Sequence, residues 1–242
     1  MTTEISKRNN IPRNERLIVA LDVPSAEEAR KLVETLGEGV CFYKIGLELF
    51  TAGGYFEVLE WLVRRGKKVF VDLKFFDVPE TVRAAVRGLR NRGVTFTTVH
   101  GNQAMLEAAG RDKGELKILA VTVLTSLDRG DLDDLGFDCG VERLVLSRAR
   151  RALQAGCDGV ISSGLEAPAL KRELGSRLLV VTPGIRPVEN RTVDDQKRTV
   201  GVAQAFASGA DYIVVGRPIR QANNPRAAAE SIQKTIAAIF PD

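Results

Sequence analysis

The sequence predicts an α/β chain folded as a single-domain (β/α)8 barrel, the TIM barrel. Three observations carry that prediction. Eight short apolar runs, rich in Val, Ile and Leu, recur along the chain, as strands buried on both faces require. Segments with helical spacing separate them, and such alternation implies right-handed βαβ units in a parallel sheet. Eight units in 242 residues match the usual size of the barrel. A doubly wound sheet is the other arrangement of alternating strands and helices. The absence of GxGxxG after the first strand weakens its dinucleotide-binding version. Residues 1–15 are a polar tail and residues 16–242 the barrel domain, with no linker or low-complexity segment between them.

Arg16 to Val23 (RLIVALDV) is the first buried strand, and Asp22 stands at its end. PSAEEARKLVETLG follows as a helix that Ser25 can cap, with Glu28 three residues on and Gly37 as its stop. Val40 to Gly46 is the second strand, with Lys44 near its end. Gly54 to Arg65 carries Tyr55, Val58, Leu59, Leu62 and Val63 at helical spacing. The third strand opens at Val69 and passes through Asp72 and Lys74 to a turn holding Asp77, which Pro79 helps to fix. A helix from about Glu80 to Arg92 leads to the fourth strand, Phe96 to Gly101, and a short helix spans Asn102 to Gly110. Lys117 to Thr125 is the fifth strand, followed by an acidic loop or short helix and an amphipathic helix from Val141 to Ala155. Gly159 to Ser163 is the sixth strand, Glu166 to Leu174 a helix, and Leu178 to Gly184 the seventh strand. A polar loop runs from Ile185 to about Arg198, Thr199 to Ser208 is helical, Asp211 to Gly216 is the eighth strand, and Pro225 to Phe240 closes the chain.

The composition excludes several classes. With 44% hydrophobic residues the chain can bury one sizeable core. A net charge of +4 suits an anionic small molecule. No dense Lys/Arg block with interleaved aromatics points to nucleic acid. Cys41, Cys139 and Cys157 are odd in number and lack CxxC spacing, which argues against disulfides and zinc. The polar N-terminus has no apolar signal core, and no apolar run reaches membrane-spanning length, so a cytoplasmic location is expected.

Functional residues of such a barrel gather at the carboxyl ends of its strands. Asp22, Lys44, Asp72 and Lys74 end three consecutive strands and should share one arc of the mouth. Side chains two apart on a strand share a face, so Asp72 and Lys74 should point the same way. Four alternating charges there indicate chemistry more than scaffolding. On the opposite arc, TPGIR and VVGR close strands seven and eight, where barrels often hold phosphate. Gly184 and Gly216 allow close backbone approach, and Arg186 and Arg217 can grip phosphate oxygens. The loop between them is long and polar enough to be a lid, with Gln196 reaching inward. His100, the one histidine, is expected to be a hydrogen-bonded structural residue. The acidic cluster from Asp128 to Asp138 lacks calcium-loop spacing and is expected to be a solvated surface.

DLKFFDVPET resembles the DxKxxDxPxT signature of the orotidine 5'-phosphate decarboxylase family. LDV, YKIG, VTVLTS, TPGIRP, DQ and VVGRP follow in that family's order along nearly the whole chain. One departure is Val78, where many members carry Ile. The resemblance implies conversion of orotidine 5'-monophosphate to uridine 5'-monophosphate and CO₂, with no metal or organic cofactor, in a homodimer whose sites lie at the interface. It implies that Asp22 and Lys44 contact ribose hydroxyls and join the charged network. By the same resemblance Asp72 is expected near the departing carboxylate, and Lys74 is expected to protonate C6. Asp77, Val78 and Thr81 are expected to reach the partner's site. Thr125 is expected to serve the pyrimidine, and Arg186, Gln196, Gly216 and Arg217 the phosphate. A Mg²⁺-dependent sugar-phosphate decarboxylase or synthase would share DxKxxD. The other alternative is a catalytically silent phosphate- or nucleotide-binding barrel, against which the intact Asp72, Lys74 and Asp77 argue.

Overall fold

The computed structural model describes residues 11–186 and 199–241. Among these, strands pair in chain order, parallel throughout, and close into an eight-stranded barrel. β1 (Leu17–Ala20), β2 (Phe42–Gly46), β3 (Lys68–Phe75) and β4 (Phe96–His100) form one half. β5 (Lys117–Val121), β6 (Gly159–Ile161), β7 (Leu179–Thr182) and β8 (Tyr212–Val215) form the other. The main outer helices are α1 (Ala26–Leu36), α3 (Tyr55–Arg64), α4 (Pro79–Leu89), α5 (Gln103–Arg111), α7 (Val141–Gln154), α8 (Ala167–Leu174), α9 (Val202–Ser208) and α11 (Pro225–Ile239). No helix of the described residues is long and apolar enough to cross a membrane.

Strand alternation sorts the side chains into two cores. Leu17, Val19, Tyr43, Ile45, Val69 and Val71 face outward and pack with Val33, Leu36, Val58, Leu62, Val82 and Val86 of the helices. Burying each such aliphatic side chain stabilises by about 1.5–3 kcal/mol. Ile18, Phe42, Phe70, Phe96, Tyr212 and Val214 face inward. Phe42 and Phe96 lie 5.1 Å apart between ring centroids, and Phe96 meets Tyr212 edge-on, also at 5.1 Å. These rings floor the upper half of the barrel. Two residues further along β2, β3 and β4, the same inward positions hold Lys44, Asp72 and Thr98.

The base of the barrel repeats one device. Asp211, just before β8, accepts the Val180 N–H at 2.8 Å and the Lys171 ammonium at 2.6 Å. Asp158, just before β6, accepts the Ile118 N–H at 2.8 Å and pairs with Lys113. Each carboxylate keys its strand to the preceding one, leaving the opposite rim for chemistry.

The elements differ from the sequence reading in four places. A six-residue helix α2 (Leu47–Ala52) follows β2 directly, and a four-residue helix α10 (Arg217–Arg220) follows β8. The acidic stretch, read as a loop or short helix, agrees with that reading: it contains α6 (Arg129–Asp134), started by a reciprocal cap between Asp128 and Asp131. The helix expected from Thr199 begins at Val202, because Val200 pairs with Ile185 in an isolated parallel bridge. The expected tail is anchored at its end, where Arg13–Glu15 form a 3-10 turn and Glu15 pairs with Lys68.

Candidate active site

Registry brings the charged strand ends together. Ala20 is level with Lys44, and Gly46 with Asp72. Lys44 Nζ donates to Asp22 Oδ1 at 2.9 Å and lies 3.4 Å from Asp72 Oδ2. Lys74 Nζ donates to Asp72 Oδ1 at 2.9 Å. The four groups form one chain of alternating sign. Glycine at position 46 leaves room for it, since a Cβ there would meet Lys44 Nζ at 3.1 Å and Asp22 Oδ1 at 3.4 Å. Burial opposes the charge on Lys44, but Asp72 and Asp22 outweigh it and hold the ammonium above its usual range. Burial likewise pushes the Asp72 carboxyl up. The ammonium groups of Lys44 and Lys74, with hydrogen bonds from Lys74 and Thr98, outweigh that and hold it below the carboxylate range. The lysines differ in access: the Lys44 side chain is 11% exposed and that of Lys74 33%. Lys44 is embedded in the network, while Lys74 opens onto the cavity.

Lys74 is the one non-glycine residue with positive φ (49°) among the described residues. Such a conformation costs about 1–3 kcal/mol and persists only where surroundings enforce it. Here β3 departs from its ladder. Val71 is level with Thr97 but Phe75 with Val99, so β3 carries extra residues against β4. Asp72 and Lys74 do converge as expected, but through this bulge and not through plain alternation. The Lys74 N–H donates to Thr98 Oγ1 at 2.9 Å, and that hydroxyl donates to Asp72 Oδ1 at 2.9 Å.

The opposite arc completes the cavity, which holds about 280 Å³. Asp22, Lys44, Asp72, Lys74, Thr125, Gly184, Arg186, Gly216 and Arg217 all line it. Gly184 is left-handed (φ 75°), a conformation that favours glycine. Gly216 has a negative φ (−112°) and serves as the start of α10. The Arg186 and Val200 backbones are bonded at 3.0 Å, which ties together the two ends of the segment between them. Gln196 lies outside the described residues. Sequence reasoning missed Arg220, which lines the same cavity one turn beyond Arg217. It also missed Thr98, a fully buried hydroxyl among inward positions. A polar residue between Phe96 and His100 in a buried strand was the available signal.

Asp77, Val78 and Thr81 do not line the cavity of their own chain. They stand exposed on the rim, at the end of β3 and the start of α4. Asp77 Oδ1 accepts the Val78 N–H at 2.7 Å, and Pro79 opens the helix. Val78 is 62% exposed and the neighbouring Phe76 66%.

His100 differs from expectation. Its buried Nδ1 has no hydrogen-bond partner among the described residues, and the ring packs edge-on to Phe76 at 5.5 Å. It lines a second hollow together with Arg148 and Phe137. Burial, then the positive charges of Arg148 and Lys74, hold its imidazole below the usual range. The folded chain therefore binds this proton less readily than the unfolded chain. The associated stability is present above about pH 6.5 and is lost as pH falls from there through the folded-state value. His100 is the sole histidine. The decline of Tm across that window should therefore flatten in His100→Asn, as thermal unfolding at stepped pH would read.

A family model described as orotidine 5'-phosphate decarboxylase / HUMPS family matches residues 15–232. A Methylococcus capsulatus protein named orotidine 5'-phosphate decarboxylase is 65% identical over 230 residues, 95% of each chain. One of the same name from Xanthomonas campestris (strain B100) is 55% identical over 231 residues, 94% of this chain and 95% of its own. The crystal structure of orotidine 5'-phosphate decarboxylase from Lactobacillus acidophilus aligns with a TM-score of 0.81 at 37% identity, covering 94% of this chain and 100% of that one. Matched over nearly all its length by the family model and by these relatives, the chain belongs to the orotidine 5'-phosphate decarboxylase / HUMPS family.

Proposed function

We propose that this protein decarboxylates orotidine 5'-monophosphate to uridine 5'-monophosphate and CO₂, a step of pyrimidine biosynthesis in the cytoplasm, without metal or organic cofactor. It is a carboxy-lyase by family. One observation carries the mechanism: the chain Asp22–Lys44–Asp72–Lys74 ends on an ammonium facing the cavity that Arg186 and Arg217 also line.

The phosphate dianion docks between the arginines through charge-assisted hydrogen bonds. Asp22 and Lys44 take ribose hydroxyls, and Thr125 meets the pyrimidine. The C6 carboxylate then lies by Asp72, with C6 under Lys74. Breaking the C6–carboxylate bond leaves an electron pair in the ring plane, where the π system cannot delocalise it. The Lys74 ammonium stabilises that pair and gives it a proton, forming the C6–H bond of the product. Solvent returns the proton to Lys74 once the site opens. Phosphate binding, remote from C6, provides free energy for closure and exclusion of water. Gln196 is assigned to the phosphate on sequence grounds.

Loss of orotidylate absorbance on mixing with the purified protein, undiminished by a chelator, is the expected result. An absence of turnover would overturn the reading, and loss to the chelator would favour a metal-dependent sugar-phosphate enzyme.

In the homodimer we propose, Asp77, Val78 and Thr81 complete the site of the other subunit. Their place on the exposed rim supports this. Mixing Asp77→Ala and Lys74→Ala dimers at equal amounts should restore about a quarter of native activity, since half the dimers are hybrids and each keeps one intact site. No recovery after subunit exchange would rule out the sharing.

A further inference from the structure

We propose that Thr98 is a positioning residue for the reaction, holding Lys74 and Asp72 in register through one hydroxyl. The inference rests on the decarboxylase reading above.

Thr98 is fully buried on the inward face of β4. Its Oγ1 accepts the Lys74 N–H at 2.9 Å and donates to Asp72 Oδ1 at 2.9 Å. The same Asp72 oxygen accepts Lys74 Nζ at 2.9 Å. Lys74 is thus tied at its backbone and at its tip to one two-residue unit, and the loop of bonds closes through the hydroxyl. The bulge leaves the Lys74 amide outside the regular β3–β4 pairing, and the Thr98 side chain takes the place of a backbone acceptor. Because the Lys74 N–H occupies one lone pair of Oγ1, the hydroxyl proton is left to point at Asp72. Serine can do the same. Valine, equal in shape, can do neither.

Without the hydroxyl, the amide of Lys74 and one oxygen of Asp72 lose partners inside a water-poor site. The left-handed turn at Lys74 (φ 49°) is then no longer held from β4. The ammonium moves relative to C6, and a shift of about 1 Å can cost about 10²-fold in rate. Arg186 and Arg217 lie across the cavity, past the ends of β7 and β8, so nucleotide affinity should hardly change. A residue that merely filled space would not separate these two quantities.

The experiment compares wild type, Thr98→Val and Thr98→Ser. The expected result is a fall in kcat of about 10²-fold in Thr98→Val, UMP affinity within about threefold of native, and kcat restored to within about threefold in Thr98→Ser. Should Thr98→Val not accumulate as folded protein, Thr98→Ala removes the same hydroxyl without added bulk and should show the same split. A kcat near native in the hydroxyl-less variant, or equal losses in the serine variant, would overturn the proposal. A wild-type protein inactive on orotidylate would instead overturn the decarboxylase reading. In that event the crystal structure of Thr98→Val decides the positioning role. Lys74 should leave the left-handed region and its ion pair with Asp72 should open beyond 4 Å; retention of both would sink the inference.

Discussion

Lys74→Ala should lower kcat by about five orders of magnitude while leaving UMP binding within about tenfold of native. Two losses combine. A positioned proton donor contributes about 10²–10⁴-fold. A preorganised charge beside the developing carbanion contributes about 10²–10³-fold more. The substitution should not unfold the chain, because Asp72 keeps Lys44 at 3.4 Å and the Thr98 hydroxyl at 2.9 Å. Single-turnover kinetics on orotidylate, alongside UMP titration, separates the chemical loss from a binding loss. Turnover within tenfold of native would remove Lys74 from the mechanism.

Arg217→Ala should lower kcat/KM by about 10²–10³-fold, equivalent to about 3–4 kcal/mol of lost transition-state stabilisation. Arg217 begins α10 directly after Gly216 and lines the cavity with Lys74. Its partner in the proposed complex is the phosphate, whose binding drives closure. The loss should therefore appear in both KM and kcat. Orotidine, the same nucleoside without phosphate, supplies the control: on that substrate the variant and the native protein should be nearly equal. Equal losses on both substrates would show that Arg217 acts elsewhere.

The barrel was legible because most of the buried strands are runs rich in β-branched and aliphatic residues, too short to be mistaken for a helix. The Asp72–Lys74 pair was legible because charges at the end of such a strand have few structural reasons to be there. Its geometry was not. Alternation puts both side chains on one face, whereas the chain achieves this through a bulge and a left-handed lysine. Thr98 escaped notice because threonine is an ordinary strand residue, and only the partner strand reveals what its hydroxyl holds. Helices α2 and α10 span one turn or little more, below the length at which periodicity becomes visible. Arg220 was hidden with α10. His100 was expected to be hydrogen-bonded, but it sits against an aromatic edge supplied by a residue distant enough in sequence that no local pattern signals it.

The interlocked rings of Phe42, Phe96 and Tyr212 carry a last consequence. Interiors at this density leave no passage for even a small molecule, so the chamber above them is a dead end. In the proposed reaction, carbon dioxide and the nucleotide then leave by the same mouth of the barrel. Under the proposed mechanism, recapture of CO₂ by the carbanion competes with its protonation, and an ammonium held in place by Asp72 at 2.9 Å tips that race toward the proton.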